Sequence, residues 1–132
     1  MFIVMMKIPC EVIVWYVLPS IRRELAIELI QTHGVSQKRA AQLLDVTTAA
    51  VCQYVNDKRG QSLYNLITDK KTEKKVKDQL KKAAVGIREN PEQVVGEICK
   101  ICNLLKKEDV IGHYYTEYEK GPIPENILCF DV

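Results

Sequence analysis

The sequence lacks any apolar run of the roughly 18 residues that a membrane-spanning helix requires, since its longest run covers only residues 12–18. Residues 1–6 are apolar but carry neither the basic start nor the small-residue cleavage site of a signal peptide. A glycine-rich phosphate loop, a G-x-S-x-G motif and an H-E-x-x-H motif are also missing, so no enzyme class has positive support. We therefore expect a cytoplasmic protein without a membrane span, and we do not expect an enzyme.

The composition is that of an ordinary globular chain, with 47% hydrophobic and 27% charged residues among 132. This length suits one domain, or one small domain with an appendage. The net charge is only +2, but residues 68–82 carry +4 and residues 83–132 carry −4. A basic first part and an acidic C-terminal part are typical of a chain whose first half binds a polyanion. For residues 68–82 alone, a solvated lysine-rich helix is the plainer explanation.

Hydrophobic spacing indicates helices along most of the chain. Ser20 is placed to cap a helix with apolar residues at Ile21, Leu25 and Leu29, which His33-Gly34 would end. Further helices are expected at residues 62–67, 72–88 and 92–107, the last with Asn90 as its cap and Pro91 at its start. The apolar stripes of the last two comprise Val76, Leu80, Ala84 and Ile87, and Val94, Ile98, Ile101 and Leu105. After Gly112 the pattern stops, which predicts an irregular, acidic tail.

The strongest motif is a helix-turn-helix at residues 37–56. Ser36 can cap its first helix, residues 37–44, and Thr47 or Thr48 can cap its second. Ala41 is the small residue needed where the two helices cross. The turn needs a residue that tolerates a left-handed conformation, and Asp45 stands where most such motifs have glycine. The residues expected to face the common core are Ala40, Leu44, Val46, Val51 and Tyr54.

Several short segments extend this pattern on either side of the motif: Pro9-Cys10-Glu11, Val17-Leu18-Pro19, Glu24-Leu25-Ala26 and Lys58-Arg59-Gly60. With them, the chain resembles archaeal helix-turn-helix transcriptional regulators of the Cro/λ-repressor-like (XRE-like) type, in a cysteine-containing subgroup. The resemblance covers about residues 8–60, and the remainder only through its cysteines. It implies a sequence-specific regulator that binds double-stranded DNA.

In such motifs the second helix enters the major groove, and its first residues reach the base edges. Thr48, Ala49 and Gln53 are the candidate base contacts, because Gln can pair with adenine and a methyl group can contact thymine. Free amides at Ser36 and Gln37 can receive a phosphate. Lys38, Lys58 and Arg59 would neutralise further phosphates. Thr47, which begins the second helix, completes the candidate set.

The fold expected overall is all-α, with a helix-turn-helix DNA-binding domain at residues 1–67. A small helical C-terminal region with an irregular tail would follow at residues 68–132. One such motif reads only a few base pairs, so a homodimer on a two-fold operator is expected. The expected dimer surface comprises residues 1–18 and the helices at 72–88 and 92–107. The alternative is a helical protein-interaction module that does not bind DNA.

Five cysteines stand at positions 10, 52, 99, 102 and 129, an odd number that argues against a disulfide framework in a reducing cytosol. Cys99 and Cys102 form a C-x-x-C pair expected on the flank of the last helix, where both thiols would be partly protected. A four-ligand site would be completed by Cys10 and Cys129, with His113 as a substitute. Cys52 is interpreted as a small packing residue.

Three explanations of these cysteines stay open. All-thiolate ligation suits an iron–sulfur cluster, which the cysteine-rich C-termini of the similar archaeal regulators also imply. Structural zinc would use the same four ligands. The third explanation is ordinary buried cysteines, with or without a thiol switch. A thioredoxin-type enzyme is disfavoured, because its C-x-x-C opens a helix after a strand, whereas two helical turns precede this pair.

Overall fold

The computed structural model describes residues 17–56, 63–67 and 69–110. Within them the chain forms five α-helices and no strand, which confirms the all-α prediction. We number the helices α1 (Leu18–Gln31), α2 (Gln37–Leu44), α3 (Thr48–Val55), α4 (Lys70–Glu89) and α5 (Val94–Lys107). Two short 3-10 helices, Leu63–Leu66 and Pro91–Gln93, precede α4 and α5 respectively. Among the described residues, no helix combines the length and the apolarity needed to cross a membrane.

Helix α1 is the central element, because both helical hairpins, α2/α3 and α4/α5, pack against it. Its side chains Ile21, Leu25 and Leu29 are fully buried. The buried residues of α1, both hairpins and Leu63 form one hydrophobic cluster. The predicted domain boundary between residues 67 and 68 falls within this cluster, which has members on both sides of it. The division into two domains stays a prediction.

The predicted stripes of the second hairpin face this core. Val76, Leu80, Ala84 and Ile87 of α4 are all buried. On α5, Ile101 and Leu105 are fully buried, whereas Val94 and Ile98 pack against the edge of the cluster. An ion pair of 3.3 Å between Lys75 Nζ and Glu108 Oε1 joins the start of α4 to the end of α5.

Three predicted helix starts are wrong. Helix α1 begins at Leu18, and Ser20 is a buried residue of its first turn; Pro19 is already suited to that turn, so the helix starts earlier. Helix α4 begins at Lys70 because Asp69 caps it, its Oδ1 accepting from Lys71 N at 3.1 Å. Asn90 makes no side-chain cap, since a 3-10 turn intervenes before α5 begins at Val94.

Candidate nucleic-acid interface

The turn between α2 and α3 is built as the sequence predicts. Ser36 Oγ accepts from Arg39 N at 3.0 Å, and Thr47 Oγ1 accepts from Ala50 N at 3.0 Å, so each helix has a hydroxyl cap. Asp45 is left-handed, with φ 55° and ψ 48°. Val46 N donates to Ala41 O at 3.0 Å and Asp45 N approaches Gln42 O at 3.4 Å, the hydrogen-bond pattern of a Schellman C-cap. These bonds fix the angle at which α3 leaves α2.

Helix α3 is divided into a buried face and an exposed face. Ala50, Val51 and Tyr54 are buried, and they anchor the helix to α1 and α2. The opposite face is exposed and comprises Thr48, Ala49, Cys52 and Gln53. No residue of α3 is charged. The exposed face is therefore made of small or uncharged side chains.

The structure places the predicted base contacts on one face of α3. Thr48, Ala49 and Gln53 share the exposed face of α3. Ser36 and Thr47 are exposed, but their hydroxyls are used as caps. Gln37 is half-buried and Lys38 is exposed, both at the start of α2. The remaining two predicted contacts, Lys58 and Arg59, lie outside the described residues.

Two exposed residues of the motif were missed from the sequence. Cys52 was predicted to pack, but it is exposed, and Asn56 Nδ2 lies 3.4 Å from its Sγ. The sequence does indicate this exposure, because a helix advances about 100° per residue and so places Cys52 about 40° from Thr48, on the same face. Arg39 is exposed beside Lys38, and its Nη1 approaches Gln42 Oε1 at 3.4 Å. Lys38 and Arg39 together place two exposed positive charges in the first turn of α2.

The core positions of the motif match the prediction closely. Ala40, Ala41, Leu44, Val51 and Tyr54 are all buried. Val46 is half-buried against the edge of the cluster. Tyr54 is therefore a core residue, as expected, and not a surface contact.

The C-x-x-C pair lies on α5, away from the motif. Cys102 is half-buried against the core, but Cys99 is exposed, so only one of the two thiols is protected as predicted. Burial raises the pKa of the Cys102 thiol, Lys106 opposes that effect, and Cys99 adds to it. Side chains three apart on a helix have Cβ atoms about 5–6 Å apart, whereas a disulfide needs about 3.5–4.5 Å. This spacing disfavours a Cys99–Cys102 disulfide and suits two ligands of one soft metal.

The remaining predicted metal ligands, Cys10 and Cys129, lie outside the described residues, as does His113. Among the residues that the structure describes, no group of three or more His, Cys, Asp or Glu side chains is placed to hold a metal ion. Of the four thiolates that a cluster or an all-cysteine zinc site requires, the described residues hold only Cys99 and Cys102, so the cofactor stays a prediction.

Comparisons of the chain with protein-family models, with curated proteins and with solved structures found no match. The resemblance to archaeal Cro/λ-repressor-like regulators therefore stays a prediction based on the motif residues.

Proposed function

We propose that this protein is a sequence-specific DNA-binding transcription regulator that reads the major groove with α3. The division of α3 carries this proposal: three buried residues hold the helix, while Thr48, Ala49, Cys52 and Gln53 present one exposed, neutral face. Such a face can enter the groove without placing a charge among the bases.

The residues around α3 supply the affinity that this neutral face lacks. Lys38 and Arg39 would neutralise phosphates beside the groove, and backbone amides at the start of α2 would donate hydrogen bonds to another phosphate. Gln53 would form the most discriminating contact, because its amide can pair with the N6 and N7 positions of adenine. Ala49 and the methyl group of Thr48 would contact thymine methyl groups.

The regulator would work as a homodimer in the cytoplasm. Two copies would place two α3 helices in successive major grooves, one helical turn apart. Helices α4 and α5 would supply part of the dimer surface, since Val95 of α5 is 69% exposed and Val85 of α4 is 40% exposed.

A salt titration of DNA binding tests the proposal. Affinity for a duplex of mixed sequence should fall steeply with salt, and Arg39→Gln should reduce the slope of log K against log salt by about 1. Lys107→Gln is the matched control, because Lys107 is exposed on α5, which packs on α4 and α1. Binding without salt dependence, or no binding, would favour the protein-interaction module.

For the cysteines we propose a cofactor that makes DNA binding responsive to redox state or iron–sulfur status. Cys99 and Cys102 on α5 would hold it together with Cys10 and Cys129. An iron–sulfur cluster would supply oxidation-sensitive bonds between α5 and the rest of the chain, whereas zinc would only stabilise the fold. Anaerobic purification should yield iron and sulfide in the wild type, and Cys99→Ser should lose both. Zinc without iron or sulfide would show that the cysteines hold a structural metal. Thiols that stay metal-free after attempted reconstitution would contradict both cofactors.

A further inference from the structure

A groove of about 310 Å³ lies between α1 and α4, and its two walls carry opposite charges. The wall from α1 presents Glu24, Ile27 and Glu28, and the wall from α4 presents Lys77, Leu80 and Lys81. Both sets have the spacing i, i+3, i+4, which places the three side chains on one face of each helix. An acidic wall thus faces a basic wall across an apolar centre made by Ile27 and Leu80.

These opposite charges are not paired with one another across the groove. Glu24 accepts from Arg23 Nη1 at 2.8 Å and from Leu63 N at 3.2 Å. Lys77 Nζ lies 3.8 Å from Glu73 Oε1 on its own helix. Within the part of the chain that the structure describes, the side chains of Glu28 and Lys81 form no hydrogen bond or ion pair. One carboxylate and one ammonium therefore remain available on opposite walls.

Tyr64 lines the same groove from the 3-10 helix Leu63–Leu66. Lys77 Nζ lies 5.2 Å from the centroid of its ring, within range of a cation–π contact. Burial raises the pKa of the Tyr64 hydroxyl, and Glu24, Glu28 and Glu73 raise it further, so that the hydroxyl stays protonated. The groove therefore offers a neutral aromatic residue beside its two charged walls.

We propose that this groove binds a small zwitterion with an apolar or aromatic side chain, such as an α-amino acid. Glu28 would accept hydrogen bonds from the ligand ammonium, and Lys81 would donate to the ligand carboxylate. Ile27 and Leu80 would contact its side chain. A ligand with only one charge would form one charge-assisted hydrogen bond fewer, so a zwitterion should bind more tightly than either single-charge analogue.

Occupancy of the groove can influence the DNA-binding motif. Glu24 lines the groove and also accepts from Leu63 N, in the chain segment that follows α3. A ligand that contacts Glu24 or Tyr64 would bias the position of this segment. This regulatory step rests on the proposed function, whereas ligand binding itself does not.

Isothermal titration of the full chain with L-phenylalanine tests ligand selection. Phenethylamine lacks the carboxylate and 3-phenylpropanoate lacks the ammonium, so they are matched single-charge controls. We expect L-phenylalanine to bind at least about tenfold more tightly than either control, since each lost ion pair removes a charge-assisted hydrogen bond. No binding at millimolar concentrations, or equal affinity for all three compounds, would overturn the proposal.

Variants locate the binding in the groove. Glu28→Gln and Lys81→Gln should each weaken L-phenylalanine binding by about tenfold, while Lys82→Gln, one residue outside the groove, should not change it. A thermal melt checks that each variant folds. Unchanged affinity in Glu28→Gln and Lys81→Gln would overturn the site. If L-phenylalanine binds but leaves DNA affinity unchanged, the regulatory step is wrong; if DNA binding is absent altogether, the proposed function fails and the ligand result stands.

Discussion

The side-chain amide of Asn56 donates to the carbonyl oxygen of Cys52 at 2.9 Å and lies 3.4 Å from its thiol. This contact closes the last turn of α3 on the side that faces solvent. The exposed Cys52 thiol lies within the face that we propose for base contact. Cys52 can therefore report directly on whether α3 lies in a DNA groove.

Bound DNA should protect Cys52 from alkylation by N-ethylmaleimide. The thiol is exposed in the free protein and would be covered in the groove. Peptide-resolved mass spectrometry measures the alkylation rate of each cysteine in the same protein preparation, with and without DNA. In metal-free protein Cys99 is the internal control, because it is also exposed but lies on α5, outside the proposed interface. Equal rates at Cys52 with and without saturating DNA would contradict the proposed orientation of α3.

Asp45→Gly should stabilise the protein. The left-handed conformation of Asp45 is unfavourable for a residue with a Cβ atom, by about 1–2 kcal/mol at most, and glycine adopts it freely. We expect the free energy of unfolding to rise by up to about 1 kcal/mol in Asp45→Gly and to fall by about as much in Asp45→Ala. Urea denaturation measures both. An alanine variant more stable than the glycine variant would show that the turn does not have this conformation.

Leu25→Ala should destabilise both hairpins together. Leu25 is fully buried in α1, against which both hairpins pack, and such a truncation costs about 2–5 kcal/mol. Gln31→Ala, at the exposed end of α1, is the surface control, with an expected change within about 0.5 kcal/mol. Native-state hydrogen exchange should show faster exchange in α2, α3, α4 and α5 alike. Faster exchange confined to one hairpin would instead support independent units on either side of residue 67.

Asp69 should make the stability of α4 depend on acid pH. Hydrogen bonds from Lys71 N, and then from Thr72 Oγ1, lower the pKa of Asp69 in the folded protein below its ordinary value of 3.8. A lowered folded pKa means that the carboxylate stabilises the protein above the unfolded pKa, and that this contribution is lost as pH falls through the folded pKa.

The matched variant for Asp69 is Asp69→Asn, which keeps a capping oxygen but does not titrate. Thermal melts from neutral pH to about pH 2 should show the wild type losing stability relative to this variant once pH falls below about 4. A difference between the two proteins that is constant over the whole range would contradict the role of the Asp69 charge.

Much of this fold was predictable because its local signals agree. Ser36, Thr47 and Asp45 have the residue types that a cap, a cap and a left-handed turn require, and the spacing of Val76, Leu80, Ala84 and Ile87 indicated the buried face of α4. The start of α1 is misplaced in the sequence analysis because Ser20 suits a helix cap while Pro19 suits the first turn of a helix, and local sequence does not decide between these two starts. The start of α4 is misplaced in the same way, since local sequence does not identify Asp69 as its cap.

Features that depend on tertiary pairing gave no signal in the sequence. The groove exists because Glu28 of α1 lies across from Lys81 of α4, residues 53 positions apart. Cys52 was misassigned on residue type, since cysteine is often buried, although its position on α3 shares the face of Thr48. For the groove, the missing information was which helix covers which face, whereas for Cys52 the helical position was itself an indication of exposure.

Selection of duplexes from a random-sequence pool is the measurement that most directly tests DNA reading by α3. The wild type should enrich a two-fold symmetric site whose half-sites lie one helical turn apart. Gln53→Ala should bind that site more weakly by about 1–3 kcal/mol and lose preference at one position of each half-site, with little change in binding to unrelated DNA. No enrichment by the folded wild type, or an identical preference in Gln53→Ala, would contradict the account.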